Sequence, residues 1–242
     1  MTNQIEGLNL VTLSSSQVPT MNVLAAVTGI NELTLIDSGL PNFADEIFAF
    51  LKNHGMDPHN IRNLILTHFD TDHMGSAAEI RSRTNCKVIA FGFDAEVISG
   101  NKFEKRELMK MFPEYTDRQI KKLDEKIGES VAPRVRVDQV IKGEKQFSVN
   151  EEITILHTPG HTPGHISVLL RKYRALVTGD GLTVSNGKVG SPTPEYTVSL
   201  EEGVKSLKLL ASLDFDLLIP YHSPPILHGG NLELKRYVGT TR

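Results

Sequence analysis

Thr67-His68-Phe69-Asp70-Thr71-Asp72-His73-Met74-Gly75 follows directly on the apolar run Ile61-Arg62-Asn63-Leu64-Ile65-Leu66. His68, Asp70, Asp72 and His73 are all metal-ligating residue types, and they fall within a few positions of one another. If a strand ends near Thr67, the chain turns at once and these side chains converge from one loop edge. A helical site needs ligands three or four residues apart on one face; His68 and Asp72 meet that spacing and Asp70 does not. The stretch therefore reads as a loop. Histidine and aspartate also populate polar loops that bind nothing, so this cluster alone leaves both readings open.

Three downstream stretches weigh against the plain loop. His161 stands in Thr158-Pro159-Gly160-His161-Thr162-Pro163-Gly164-His165, Asp180 ends Leu176-Val177-Thr178-Gly179-Asp180, and His222 ends Leu217-Leu218-Ile219-Pro220-Tyr221-His222. In each, an apolar run ends and a ligand-type residue follows, which is where sheets with helical flanks place their chemistry. Asp37, after Glu32-Leu33-Thr34-Leu35-Ile36, sits at a similar strand end and suits a carboxylate that orients a ligand by hydrogen bonding.

Outward from these stretches, strands are expected at Gly7 to Leu13, Met21 to Thr28, Glu32 to Ile36, Ile61 to Leu66 and Lys87 to Phe91. Helices are expected over Asn42 to Asn53 and Met74 to Arg83. Between Asp94 and Glu129 the charge density rises, and apolar residues recur at Leu108, Met111, Phe112, Ile120, Leu123 and Ile127. These predict two amphipathic helices broken at Phe112-Pro113-Glu114. The insertion, at about 94–130, is either a solvated excursion, a cap with Phe103, Met109, Met111 and Phe112 as an apolar roof, or a contact in a homodimer. Val135 to Phe147 reads as strand, turn at Lys142-Gly143-Glu144, and strand. Further strands follow at Glu152 to His157, His165 to Tyr173, Ala175 to Thr178, Leu182 to Val189 and Leu217 to Ile219, with a helix over Ser199 to Leu213. Two halves of similar plan predict an α+β protein, a four-layer αββα sandwich with its site at the shared edge, over one domain of residues 1–242.

The 242 residues are 39% hydrophobic and 23% charged, with a net charge of -3. That balance gives no electrostatic case for nucleic acid. Met1 to Gly7 lacks a basic segment leading into an apolar core, and no run reaches the ~20 apolar residues of a membrane span, so a cytoplasmic location is expected. The single cysteine, Cys86, opens an apolar run and reads as core. Of nine histidines only four read as ligands. His165 reads as hydrogen-bonded in a turn, with support of a ligand from behind or a proton shuttle as the alternative, and His54, His59, His157 and His228 as ordinary. Tyr221 and Tyr196 pack by default, with donation to an oxyanion as the alternative. Ser14 to Ser16 has no partnered base.

Taken together, Asp37, the His68 to His73 loop with Gly75, His161 after Thr-Pro-Gly, Asp180 after Thr-Gly and His222 after the last strand resemble the metallo-β-lactamase fold superfamily. The resemblance implies that His68, Asp70 and His161 hold one metal and that Asp72, His73 and His222 hold another, with Asp180 bridging. It implies two divalent ions, zinc first with manganese or iron as alternatives, and a catalytic role for Asp72. The family pattern H-x-H-x-D-H reads H-x-D-x-D-H here. A carboxylate at position 70 makes that pocket harder and more anionic, and flavodiiron relatives also carry one. Two ions ~3.5 to 4 Å apart acidify a water to a pKa near 7 and polarise a carbonyl, so the implied activity is hydrolysis of an ester, lactone, thioester or related bond of a small molecule. A phosphodiesterase of the same fold, or a non-catalytic relative, is the alternative. Little chain follows His222 for the helical domain of a glyoxalase II, and Asp180 lacks the nearby tyrosine of many lactonases, so the resemblance leaves the substrate open.

Overall fold

The structure, a computed structural model, describes residues 7–143 and 146–240. Met1 to Glu6, read above for a leader, and Glu144, read above in a turn, lie outside the described residues.

The first half runs β1 (Leu8–Leu13), β2 (Met21–Gly29), β3 (Glu32–Ile36), α1 (Ala44–Asn53), β4 (Ile61–Ile65), α2 (Thr71–Met74), α3 (Ala77–Thr84) and β5 (Lys87–Phe91). Three helices follow, α4 (Gly92–Ile98), α5 (Lys105–Met111) and α6 (Asp117–Glu129), and then β6 (Gln139–Ile141). These strands make a six-stranded sheet in the order β1-β2-β3-β4-β5-β6, antiparallel through β3 and parallel beyond it. The second half runs β7 (Gln146–Ser148), β8 (Ile153–His157), β9 (Ile166–Leu170), β10 (Ala175–Gly179), the small hairpin β11 (Thr183–Ser185) and β12 (Lys188–Gly190), α7 (Leu200–Ala211), β13 (Leu217–Pro220) and α8 (Gly230–Thr240). Its main sheet is ordered β13-β10-β9-β8-β7, with only β13 and β10 parallel.

Successive side chains of a strand point to opposite faces, and that alternation divides the buried residues into three cores. Val88 and Ala90 of β5 face the helices of the first half, while Ile89 and Phe91 face the other sheet. Ile166, Val168 and Leu170 of β9 meet them there, and Leu169 turns outward to α7 and α8. Three cores in series require four layers, helices, sheet, sheet and helices, which is the αββα sandwich expected. Because both sheets are covered on both faces, their strands are near-continuous apolar runs.

Several local expectations change. Met74 to Arg83 is not one helix: α2 and α3 are separate, and Asp72 and His73 ride on a single helical turn with Asp70 at its N-terminal boundary. The expected turn between two strands near 142–144 does not make a hairpin, since β6 pairs with β5 in one sheet and β7 with β8 in the other. The four-residue roof does not form. Phe103 and Phe112 pack inward on Phe93, at ring distances of 4.9 and 5.1 Å, while Met109 and Met111 are half-exposed. Helix α8 carries no expectation from the sequence. Among the described residues no helix is long and apolar enough to cross a membrane.

Candidate metal centre

The strands β4, β10 and β13 end at the same edge of the sandwich, and the seven expected ligands stand just beyond them or in the β8–β9 turn. His68 and Asp70 follow β4, Asp180 follows β10 and His222 follows β13. Helix α2 is pulled tight against the segment after β3. Ser38 donates to His73 O from both N (2.7 Å) and Oγ (2.8 Å), and Gly75 N donates to Gly39 O at 2.9 Å. A Cβ at position 75 would stand 2.3 Å from backbone atoms of Leu40 and Pro41, so only glycine permits this approach.

Hydrogen bonding behind the ligands fixes which ring nitrogen each histidine presents. Buried Asp37, at φ 61°, accepts from Thr67 N (2.8 Å), Thr67 Oγ1 (2.8 Å) and His73 Nδ1 (2.9 Å). With its proton given to Asp37, Thr67 Oγ1 accepts from His68 Nδ1 at 3.0 Å. His222 Nδ1 donates to Thr20 O at 2.7 Å. In all three rings Nδ1 is committed to the scaffold and Nε2 faces the centre, where a metal would displace any proton it carries. Tyr221 stacks on His73 with centroids 3.7 Å apart and donates from Oη to Asp72 O at 2.6 Å.

The facing atoms form two groups. In one, Asp70 Oδ2 lies 3.0 Å from His161 Nε2 and 3.4 Å from His68 Nε2. In the other, His222 Nε2 lies 3.1 Å from Asp72 Oδ2, and His73 Nε2 lies 3.9 Å from that oxygen. Asp180 stands between them: Oδ1 is 3.3 Å from His73 Nε2, and Oδ2 is 3.5 Å from His222 Nε2 and 3.6 Å from His161 Nε2. Ligands ~2.0–2.1 Å from a tetrahedral ion are spaced about 3.3 Å apart, so the second group has the size of a coordination shell. His68 Nε2, His73 Nε2 and Asp180 Oδ1 are buried without any hydrogen-bond partner. Buried polar atoms are otherwise paired, and these point to a cation as their partner.

Of these orphaned atoms, His73 Nε2 and Asp180 Oδ1 face the second group, which fits a divalent ion, and His68 Nε2 belongs to the first. The first has suitable donors but already contains a cation. Lys126 Nζ of α6 is 2.5 Å from Asp70 Oδ2 and 3.3 Å from His161 Nε2. Burial pushes the Asp70 carboxyl up, but the Lys126 charge outweighs it and holds the group well below the carboxylate range. Burial disfavours the charged form of His73, yet Asp180, Asp37 and Asp72 hold it well above the imidazole value. Burial also opposes charge on His222, and Asp180 and Asp72 raise it to about 10. Burial lowers His161, and the Lys126 charge lowers it further.

Three residues that matter here were not singled out as site residues in the sequence. Lys126 carries a signal, since it is buried on the same helix face as Ile120 and Leu123. His165, lowered by burial to about 3, hydrogen-bonds Thr158 O through Nδ1 and accepts from Asp180 N at 3.2 Å, so it fixes the backbone of the bridging carboxylate. Asp94 of α4 accepts from Thr162 Oγ1 (2.5 Å) and Gly164 N (2.6 Å) and fastens the turn that carries His161. His54, His59, His157 and His228 make ordinary hydrogen bonds away from these groups.

The donors open into a cleft of about 520 Å³. Val18, Pro19, Leu40, Val131 and Leu182 form its apolar walls, and Tyr196 stands at its side.

The model of the Metallo-beta-lactamase superfamily matches residues 22–222. The probable metallo-hydrolase YflN of Bacillus subtilis (strain 168) is 26% identical over 212 residues, spanning 81% of this chain and 77% of that protein. A hydroxyacylglutathione hydrolase of Rhodospirillum rubrum is 28% identical over 143 residues, 59% of this chain and 41% of that protein. Among solved structures, the metallo-beta-lactamase family protein TTHA1429 of Thermus thermophilus superposes with a TM-score of 0.68 at 19% identity, covering 97% of this chain and 79% of that one. The archaeal superfamily protein ST1585 of Sulfolobus tokodaii gives 0.66 at 22% identity, covering 98% and 86%. The match runs from β2 to His222 and so takes in all seven facing side chains, and the chain belongs to the metallo-beta-lactamase superfamily.

Proposed function

We propose that the protein is a metal-dependent hydrolase that cleaves an ester, lactone or thioester of an uncharged, partly apolar small molecule. The observation that carries this reading is the convergence of Asp72, His73, Asp180 and His222 on the floor of a cleft with apolar walls. Two imidazoles and two carboxylates suit zinc, with manganese and iron next. A divalent ion held by these residues with a position left open to solvent would supply a water acidified to a pKa near 7 and would polarise the substrate's carbonyl oxygen.

The chain's own groups do the rest. Asp37 and Thr20 O hold His73 and His222 in the ligating tautomer. Asp72, whose backbone carbonyl accepts from Tyr221 Oη, would hold the ion beside His222 and would be the carboxylate at hand to take a proton from the attacking water. The apolar walls receive the acyl portion and exclude water around it. The charged side chains that line the cleft besides His222 are carboxylates, Asp70, Asp72, Glu129 and Asp180. With Asp72 and Asp180 holding the ion and Asp70 paired to Lys126, Glu129 is the carboxylate of that lining left uncompensated, and together with the apolar walls it favours a neutral carbonyl substrate over an anionic phosphodiester.

Protein stripped with chelator and reloaded with Zn²⁺, Mn²⁺ or Fe²⁺ is to be assayed on panels of neutral esters, lactones, thioesters and phosphodiesters. Metal-dependent turnover on a carbonyl panel, lost by at least a hundredfold in Asp72→Asn and His222→Ala, is the expected result. Activity confined to phosphodiesters, or none with any metal, would overturn the reading.

A further inference from the structure

We propose that Lys126 is an internal cation that occupies the first metal pocket, so that the centre takes a single metal ion, at Asp72, His73, Asp180 and His222. The inference rests on reading that second group as a metal site. Lys126 Nζ is 2.5 Å from Asp70 Oδ2 and 3.3 Å from His161 Nε2, which are two of the three donors of the first pocket. An ion bonded to those same two atoms would stand against the ammonium, with like charges in a site where little water screens them.

The ammonium is held in place. Its side chain is 9% exposed and leaves α6 on the face that buries Ile120 and Leu123 in the core. Beyond the helix, Ser130 Oγ donates to Phe69 O at 2.8 Å, and one turn earlier Lys122 Nζ donates to Pro194 O and Thr197 O at 2.8 and 3.0 Å. Swinging Lys126 out of the pocket would break its ion pair with Asp70, so an entering ion has to displace that contact as well as bind.

Position 70 makes sense on the same terms. A histidine there would offer a neutral nitrogen, fit for a metal but a weak partner for an ammonium. Aspartate supplies the charge that Lys126 needs. The three carboxylates that face the centre, Asp70, Asp72 and Asp180, are then balanced by one divalent ion and one ammonium.

The test counts metal and does not depend on turnover. Wild type, Lys126→Arg and the double variant Lys126→Met/Asp70→His are stripped with chelator, checked by circular dichroism and titrated with Co²⁺. Bound metal is counted by elemental analysis, and ligand-field absorption is followed through the titration. Saturation at one ion per chain is expected for wild type and for Lys126→Arg, and a second equivalent with its own absorption band for the double variant. Two ions in the wild type would overturn the proposal while leaving the hydrolase reading intact. A folded double variant that still takes only one ion would also overturn it. No ion in folded wild-type protein would instead sink the second group as a metal site. Should the double variant fail to fold, the wild-type count decides.

Discussion

At the scale of single residues, the centre depends most on a side chain that faces away from it. Asp37 accepts three hydrogen bonds, and through Thr67 it fixes the tautomer of His68 as well as that of His73. Its backbone is left-handed, at φ 61°, a conformation that asparagine adopts with little strain. Asp37→Asn therefore removes the charge without forcing the chain to move. Metal affinity should fall by roughly 10–100-fold, measured by competition with a chromogenic chelator, while the circular dichroism spectrum stays unchanged. Unaltered affinity would mean that packing alone orients His73. Asp37 was legible as one of two readings, a turn residue or a carboxylate that orients a ligand, and its place at a strand end suited the second. Asp94 was not, because nothing in the residue types marks the turn at Thr162 and Gly164 that it fastens, and His165 was legible only as the lesser of two readings, since its partner is the N–H of Asp180. Backbone partners leave no pattern of residue types.

At the scale of elements, the helical insertion serves the centre through Asp94, Lys126 and, at its end, the cleft wall at Glu129 and Val131, not through the expected four-residue roof. Helix α4 fastens the turn that carries His161 through Asp94, and α6 brings Lys126 to Asp70. Burial raises the Asp94 carboxyl to about 7, against the hydrogen bonds from Thr162 and Gly164. Asp94→Ala leaves the Thr162 hydroxyl and the Gly164 N–H buried and unpaired, at a cost of about 2 to 4 kcal/mol. Urea unfolding at pH 7 should show a loss of that size, and one below about 0.5 kcal/mol would mean that water replaces the carboxylate. The amphipathic stripes of α5 and α6 were legible in the sequence, but their destination was not. Apolar residues at helical spacing say that a face is buried without saying against what, and Phe103 and Phe112 found the core instead of the cleft. The short helix α2 was hidden for another reason. A single turn is too brief for periodicity to register, and it is held by Ser38 and Gly39 from a distant part of the chain. Strands β6 and β7 are close in sequence with a glycine between them, the pattern of a hairpin, yet they pair in opposite sheets.

At the scale of the whole molecule, the centre joins the two halves of the sandwich. His68, Asp70, Asp72 and His73 come from the first half, and His161, Asp180 and His222 from the second. Metal that binds only the folded protein should stabilise it by RT ln(1 + [L]/Kd), about 4 kcal/mol at a thousandfold excess over Kd, and chelation should lower the melting temperature accordingly. The dependence on pH differs between the two forms. In stripped protein the pKa of His222 is raised from an ordinary 6.5 to about 10 by Asp180 and Asp72, against the effect of burial. A raised pKa means that the folded chain holds its proton more tightly than the unfolded chain does. The resulting stability is complete below pH 6.5 and is lost as pH climbs to about 10. Below pH 6.5 the buried, depressed His161 and His165 act in the opposite direction, since unfolding lets them take protons. Stripped protein should therefore be most stable near neutral pH. Loaded protein has already lost the His222 proton to metal binding, so its affinity rises over the window in which the stripped form weakens. The gap in melting temperature between loaded and stripped protein should widen steadily from about pH 6.5 to about 9.5, and calorimetry at pH 7 in buffers of differing ionisation enthalpy should show proton release on metal binding. A constant gap with no proton release would mean that His222 is neutral before metal arrives and that Asp72 and Asp180 do not hold its proton.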